Sequence, residues 1–227
     1  MAVEGEVLWR ASDARKAGLN LTRFIGWLNA RGHHFTGYAD LHAWSVTDLA
    51  GFWAAIRDYF ALICDGSTEP VLSDDPMPHT RWLPGARLNY AEHVLRHEKS
   101  GDPARIMLHH ASELRPMATS SWAEMGGKVR KLATRLRAMG IGPGDRVVAY
   151  MPNLPETVVA MLAVTAIGAV WSAAAPEFGA QTVIDRFAQI APKLVFAVNG
   201  YRYGGKDFDR SAELGRILSA LPSVQHV

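Results

Sequence analysis

The stretch that decides the fold is GPGDRVVAYMPN, residues 142–153, in which a glycine-rich turn directly precedes a short apolar run. Residues 146–151 are predicted to form a short buried strand, and a helix is predicted to follow at 156–167. On the N-terminal side, residues 121–124 (SWAE) have the pattern of a capping box and open another helix. The order is therefore helix, turn, strand, helix.

The same alternation continues on both sides of this stretch. Upstream, residues 106–110 and 114–119 are predicted to pair as a hairpin. Strands and helices that alternate at this spacing predict a parallel sheet flanked by helices. The remaining predicted elements are strands at 169–172, 194–198 and 224–227 and helices at 181–190 and 211–221.

The first hundred residues have a different character. They contain five of the seven tryptophans, and their apolar residues recur at helical spacing. Ser45-Val-Thr-Asp48 is interpreted as a capping box that opens one of these helices. We therefore expect an α/β chain with a helical N-terminal region at 1–98, followed at 99–227 by part of a mostly parallel sheet flanked by helices.

Composition excludes several classes of protein. The 227 residues carry a formal net charge of +2, too small an excess to suggest nucleic-acid binding. No run of 18 apolar residues is present, and the first residues are acidic where a signal peptide is basic. The single cysteine, Cys64, excludes an internal disulfide and fits a reducing compartment. These features predict a cytoplasmic chain with no nucleic-acid or membrane partner.

One segment has the composition of a phosphate site. Residues 200–206 (GYRYGGK) match G-x-x-x-x-G-K, but Asp207 stands where a P-loop needs the hydroxyl that binds magnesium. We therefore do not expect a P-loop. Arg202 and Lys206 flank the flexible Gly204-Gly205 pair and are suited to gripping a phosphate, the arginine through its fork and the lysine as a point charge. The residues alone leave a solvated basic loop equally open.

The rest of the sequence contains no recognisable catalytic or metal-binding constellation. The histidine pairs at 33–34 and 109–110 are adjacent residues that face different directions, and no cysteine or carboxylate cluster completes a ligand set. The glycines at 140–144 follow a helix and precede a strand, which is the reverse of a dinucleotide fingerprint. We expect no catalytic residue and no metal site in this chain.

Several segments together resemble the N-terminal part of the acyl-CoA synthetases of the adenylate-forming superfamily, and most closely their acetoacetyl-CoA branch. The resemblance covers nearly the whole chain. The segments that carry it are PGARLNYAE at 84–92, SWAEM at 121–125, GPGDRVVAYMPN at 142–153, AIGAVWS at 166–172, PEFG at 176–179, DRF at 185–187 and GYRYGGK at 200–206.

The resemblance implies an ATP-dependent ligase that joins acetoacetate to CoA through an acyl-adenylate, with ATP, CoA and Mg²⁺ bound by the full-length enzyme. In related acetyl-CoA synthetases, two arginines in the loop after the strand equivalent to 194–198 bind the adenosine phosphates of CoA. Arg202 matches the first, and Lys206 matches the second in charge, with one extra residue between them. The implied CoA-binding residues are Arg202, Gly204, Gly205 and Lys206.

The resemblance also implies what this chain lacks. The superfamily's phosphate loop, its adenine and ribose motifs and its catalytic lysine would lie beyond Val227. We therefore expect an incomplete adenylate-forming large domain that is inactive alone and self-associates through an exposed sheet edge. The alternatives are a non-catalytic half-fold, either a degenerate product or an interaction module, and another short-chain acyl-CoA synthetase.

Overall fold

The computed structural model describes residues 3–227. The chain divides into two compact units, one ending at Arg87 and the other comprising Leu88–Val227. Each unit has a hydrophobic core of its own.

The first unit is mainly helical, as the spacing of its apolar residues predicts. Its core is formed by Phe24, Leu28 and Leu41, with a shell of aromatic rings around them. Its elements are α1 Asp13–Ala17, α2 Asn20–Asn29, α3 Tyr38–Thr47 and α4 Leu49–Tyr59, followed by the short antiparallel strands β1 Asp65–Gly66 and β2 Ala86–Arg87.

The capping box predicted at Ser45 is wrong. Ser45 lies inside α3, where its hydroxyl donates to the carbonyl of His42. Asp48 is instead the N-cap of α4, and its carboxylate accepts from the amide of Gly51 at 2.9 Å. The helix therefore begins three residues later than predicted, because an aspartate is as good an N-cap as a serine and both were available.

The second unit has the predicted alternation of strands and helices. The capping box at Ser121 is confirmed. The Ser121 hydroxyl accepts a hydrogen bond from the Glu124 amide, and the Glu124 carboxylate accepts one from the Ser121 amide. The elements are α5 Tyr90–Leu95, a 3₁₀ turn Arg96–Glu98, β3 Ile106–Ser112, β4 Arg115–Ser121, α6 Trp122–Ala138, β5 Arg146–Tyr150, α7 Pro155–Ala166, β6 Val170–Ala174, α8 Ala180–Ala188, β7 Leu194–Ala197, β8 Gly200–Tyr203, β9 Lys206–Asp209 and α9 Ser211–Ser219.

The strands β6, β5 and β7 form a parallel sheet in that order, with β5 in the centre. Successive side chains of β5 enter different cores, as the pleat of a strand requires. Val147 packs with residues of α6 and α7, whereas Val148 and Tyr150 pack with residues of α8 and α9. Burial on both faces explains why this strand is apolar without alternation. The predicted parallel sheet flanked by helices is confirmed.

Gly126 is buried in α6. A Cβ at this position would meet the carboxylate of Glu98, which pairs in bidentate fashion with Arg130 at 2.6 and 2.9 Å. The glycine therefore provides room for an ion pair that its sequence context does not reveal.

The turn between α6 and β5 is held by the Asp145 carboxylate. This group accepts from the Gly142 amide at 2.9 Å and from the Lys193 ammonium at 3.1 Å. These donors, the Gly142 amide first, hold the pKa of Asp145 below its usual value. Because Lys193 directly precedes β7, the carboxylate ties the start of β5 to the start of a neighbouring strand.

We expect Asp145→Asn to lower the free energy of unfolding at pH 7 by about 1–3 kcal/mol, because charged hydrogen bonds are lost. A depressed carboxyl pKa contributes stability above the unfolded pKa of about 3.9 and loses it as the pH falls through the folded pKa. The difference between wild type and variant should therefore shrink below about pH 4. Urea unfolding at several pH values measures it. Glu177→Gln, at an exposed carboxylate, is the control, and a pH-independent difference would contradict the account.

Candidate functional site

A cleft of about 860 Å³ lies at the carboxyl ends of the parallel strands. Three of its walls are the segments that directly follow β5, β6 and β7, and a fourth is the turn between β3 and β4. In open α/β sheets, ligands bind in this crevice. The lining residues include Pro152, Asn153, Pro176, Glu177, Val198, Asn199, Arg202 and Tyr203.

The strand order places the cleft at a topological switch point. From β5 the chain crosses to β6 on one side and then returns to β7 on the other side of β5. From β7 the chain continues to His226, which bridges Leu194 on the side of β7 away from β5. The connections therefore leave β5 and β7 in opposite directions, which opens a gap between the loops at their carboxyl ends. The position of the cleft is a consequence of this connectivity.

Tyr150, the last residue of β5, fixes one wall of the cleft. Its buried hydroxyl lies 2.7 Å from the carbonyl oxygen of Pro176 and 3.0 Å from that of Phe178. Burial raises the pKa of the Tyr150 phenol, so that it remains a hydrogen-bond donor. The loop after β6 is thereby held against the end of the central strand.

Residues 200–206, interpreted from sequence as a flexible loop, form an antiparallel hairpin instead. β8 and β9 pair with Tyr203 opposite Lys206, and Gly204 and Gly205 make the two-residue turn. Both glycines have positive φ, +59° and +74°, as a type I′ turn requires. A P-loop leads into a helix, whereas this turn leads into β9, so the expectation that no P-loop is present is confirmed.

Arg202 and Asp207 stand directly opposite each other in this hairpin. The guanidinium donates to both carboxylate oxygens at 2.7 Å, and this pairing lowers the pKa of Asp207. The pair uses two of the five N–H groups of the arginine, which leaves three for a ligand. Asp207 therefore orients the Arg202 fork at the rim of the cleft.

The hairpin brings together all four residues predicted to bind CoA. Arg202 lines the cleft, Gly204 and Gly205 form the turn, and Lys206 begins the returning strand. Lys206 is exposed and makes no ion pair within residues 3–227. Two cationic side chains and two backbone amides therefore lie within residues 202–206 of one hairpin.

Two further residues of this region carry no sequence signal. Glu113, in the turn between β3 and β4, accepts from the amides of Gly204 at 2.7 Å and Gly205 at 2.8 Å. Arg210 donates to the Tyr201 hydroxyl and to Glu213, each at 3.0 Å, and supports the base of the hairpin. Glu113 is about ninety positions from its partners in the sequence, so only the tertiary fold brings them together.

Within residues 3–227, no group of three or more histidine, cysteine, aspartate or glutamate side chains is placed to hold a metal ion. In the same part of the chain, no helix is long and apolar enough to span a bilayer.

Comparison with known families identifies the fold. A family model described as "AMP-binding enzyme" matches residues 95–227, which is more than half of the chain. The chain belongs to the AMP-binding enzyme family. A second model, described as "Acetyl-coenzyme A synthetase N-terminus", matches residues 38–94. The resemblance to acyl-CoA synthetases expected from the sequence motifs is confirmed.

Several of the similar proteins within this family are acetoacetyl-CoA synthetases. The acetoacetyl-coenzyme A synthetase of Rhizobium meliloti is 40% identical over 88% of this chain and 30% of its own length. That of Rattus norvegicus is 36% identical over 99% of this chain and 33% of its own. The solved acetoacetyl-CoA synthetase from Streptomyces lividans superposes with a TM-score of 0.91 at 42% identity, covering 97% of this chain and 35% of that one. The chain spans about a third of the length of these relatives.

For this member of the AMP-binding enzyme family we expect Tyr150→Phe to lower the free energy of unfolding by about 1 kcal/mol, because the buried hydrogen bond from the Tyr150 hydroxyl to the Pro176 carbonyl is lost. Urea unfolding followed by circular dichroism measures the change. Tyr203→Phe removes a hydroxyl from a side chain that is 72% exposed and should have no effect. Equal losses in the two variants would show that the Tyr150 hydroxyl does not hold the wall of the cleft.

Proposed function

We propose that the chain is the N-terminal portion of an ATP-dependent acid–thiol ligase that forms acetoacetyl-CoA. The observation that carries this proposal is the match to acetoacetyl-CoA synthetases over nearly the whole chain, together with the hairpin that presents Arg202 at the cleft and carries Lys206 at the start of its second strand. The function of those relatives comes to this chain as a proposal, since the chain spans only about a third of their length.

The reaction proceeds in two steps. The carboxylate of acetoacetate attacks the α-phosphorus of ATP, pyrophosphate leaves, and an acyl-adenylate remains. The CoA thiol then attacks the activated carbonyl, the thioester forms, and AMP leaves with the bond electrons. Both steps require cations that stabilise phosphate charge and a thiol held near the carbonyl. We assign this chain a role in the second requirement, through the adenosine phosphates of CoA.

Arg202, Gly204, Gly205 and Lys206 are the proposed CoA-binding residues. The three unused N–H groups of Arg202 suit a phosphate, and Asp207 prevents the fork from rotating away. Lys206 adds a charge without a fixed direction, which fits its match to an arginine in charge alone. The exposure of both side chains keeps them accessible to a soluble ligand.

We expect Arg202→Ala to weaken CoA binding about five- to tenfold and to have little effect on dephospho-CoA, which lacks the 3′-phosphate. Titration of each ligand into the chain, followed by calorimetry or nuclear magnetic resonance, gives the two dissociation constants. Arg216→Ala removes an exposed cation from α9 and is the matched control. Equal losses for the two ligands would remove the phosphate-binding role of Arg202.

A second test addresses catalysis. We expect the purified 227-residue chain to show no acetoacetate-dependent ATP–pyrophosphate exchange, because it spans only about a third of the length of its relatives. The native protein, captured from its source with an antibody to this segment, should exceed 25 kDa by far and should catalyse the exchange. Exchange by the 227-residue chain itself would contradict the first expectation. A native mass of 24.9 kDa without activity would favour the non-catalytic half-fold.

Three finer expectations remain predictions. Mg²⁺ accompanies ATP in the proposed reaction. The single, partly buried Cys64 is consistent with a cytoplasmic protein. Self-association through a sheet edge is testable by light scattering, in which a monodisperse monomer would contradict it.

A further inference from the structure

The backbone amides of Gly204 and Gly205 form a concave anion-binding site, which we call the glycine nest. Successive amides in left-handed turn geometry point to the same side of the chain, where they attract an anion. A Cβ built on either glycine would meet no atom within 4 Å, so the turn is open to solvent.

The glycine nest is occupied by a side chain of the protein itself. Each oxygen of the Glu113 carboxylate accepts from one amide of the nest, at 2.7 and 2.8 Å. Glu113 is exposed, and hydrogen bonds of exposed charges contribute little to stability because water competes for both partners. Its departure from the nest therefore costs little.

We propose that Glu113 is a displaceable anion of the glycine nest and that the 3′-phosphate of CoA takes its place. This inference rests on the proposed CoA-binding role of the same hairpin. In the free protein Glu113 holds the amides and screens the cations. In the bound state the phosphate occupies the nest, and the Glu113 side chain turns out to solvent.

Charge balance favours the exchange. In the free protein the carboxylates of Glu113 and Asp207 offset the cations of Arg202 and Lys206. A phosphate monoester carries about −1.5 to −2 charges at pH 7 and three acceptor oxygens. Two of these oxygens satisfy the amides of the nest, and the third remains for a cation. The Glu113 carboxylate has only two oxygens, and the nest uses both.

Removal of a side chain that contacts a binding loop usually weakens ligand binding, and for Glu113 we expect the reverse. If Glu113 competes with the ligand, its removal strengthens CoA binding. If Glu113 only holds the two hairpins together, its removal loosens the nest and weakens binding. The sign of the change therefore separates the two roles.

The experiment records amide spectra of the ¹⁵N-labelled chain, in which Gly204 and Gly205 report directly on the nest. CoA and dephospho-CoA are titrated into wild type, Glu113→Gln and Glu113→Ala. We expect both variants to bind CoA about three- to tenfold more tightly and to bind dephospho-CoA within twofold of wild type. We also expect the two glycine signals to shift in the free variants. Glu92→Gln, at an exposed carboxylate on α5, controls for net charge.

The outcomes distinguish this inference from the function on which it rests. Tighter CoA binding in the Glu113 variants, with Glu92→Gln unchanged, supports the displaceable anion. Unchanged or weaker CoA binding in those variants, while Arg202→Ala still discriminates CoA from dephospho-CoA, overturns the inference and leaves the proposed function intact. If wild type does not discriminate between the two ligands, both are overturned.

Discussion

The short turn before β5 aligns the amino ends of the three parallel strands. The amide of Gly144 donates to the carbonyl of Gly168, that of Val170 to Asp145, and that of Lys193 to Arg146. The Asp145 carboxylate adds a charged bond to Lys193, and the Arg146 side chain donates to backbone carbonyls that precede β7. Because the strands start level and have similar lengths, their carboxyl ends also lie level, and the cleft forms where they end.

The aligned strands form the rigid part of the second unit, and the loops around the cleft form its adaptable part. The central strand β5, which ends at Tyr150, is buried, and an error of one residue in its register would move its core side chains to the wrong face. The β8–β9 hairpin and the β3–β4 turn are exposed and meet through the bonds of Glu113 to the glycine nest. A buried central strand thus presents exposed loops, which is the usual division between scaffold and site.

The sequence was sufficient for most of the second unit because its signals are local. Periodicity, the glycines at 140–144 and the capping box at 121–124 each specify a nearby backbone conformation, and the structure confirms the elements they predict. The misplaced start of α4 arose because Ser45 and Asp48 are both acceptable caps. The sequence predicts a loop at 200–206 because its glycines and basic residues have the composition of a phosphate site, and the cross-strand pairing of Arg202 with Asp207 has no local signal. The contact of Glu113 with the glycine nest has no local signal.

Asp207 appeared from sequence to count against a phosphate site, since a carboxylate repels an anion. In the structure this carboxylate is paired with Arg202, and its pKa is lowered by that bond. A guanidinium without such a partner would sample many rotamers, and a ligand would have to bear the entropy of fixing one. The ion pair therefore lowers the positive potential at Arg202 but fixes the direction of its guanidinium. Lys206 has no ion-pair partner within residues 3–227, so its positive charge is not offset in this way. In the proposed CoA site, Arg202 supplies the fixed direction and Lys206 supplies the unpaired charge.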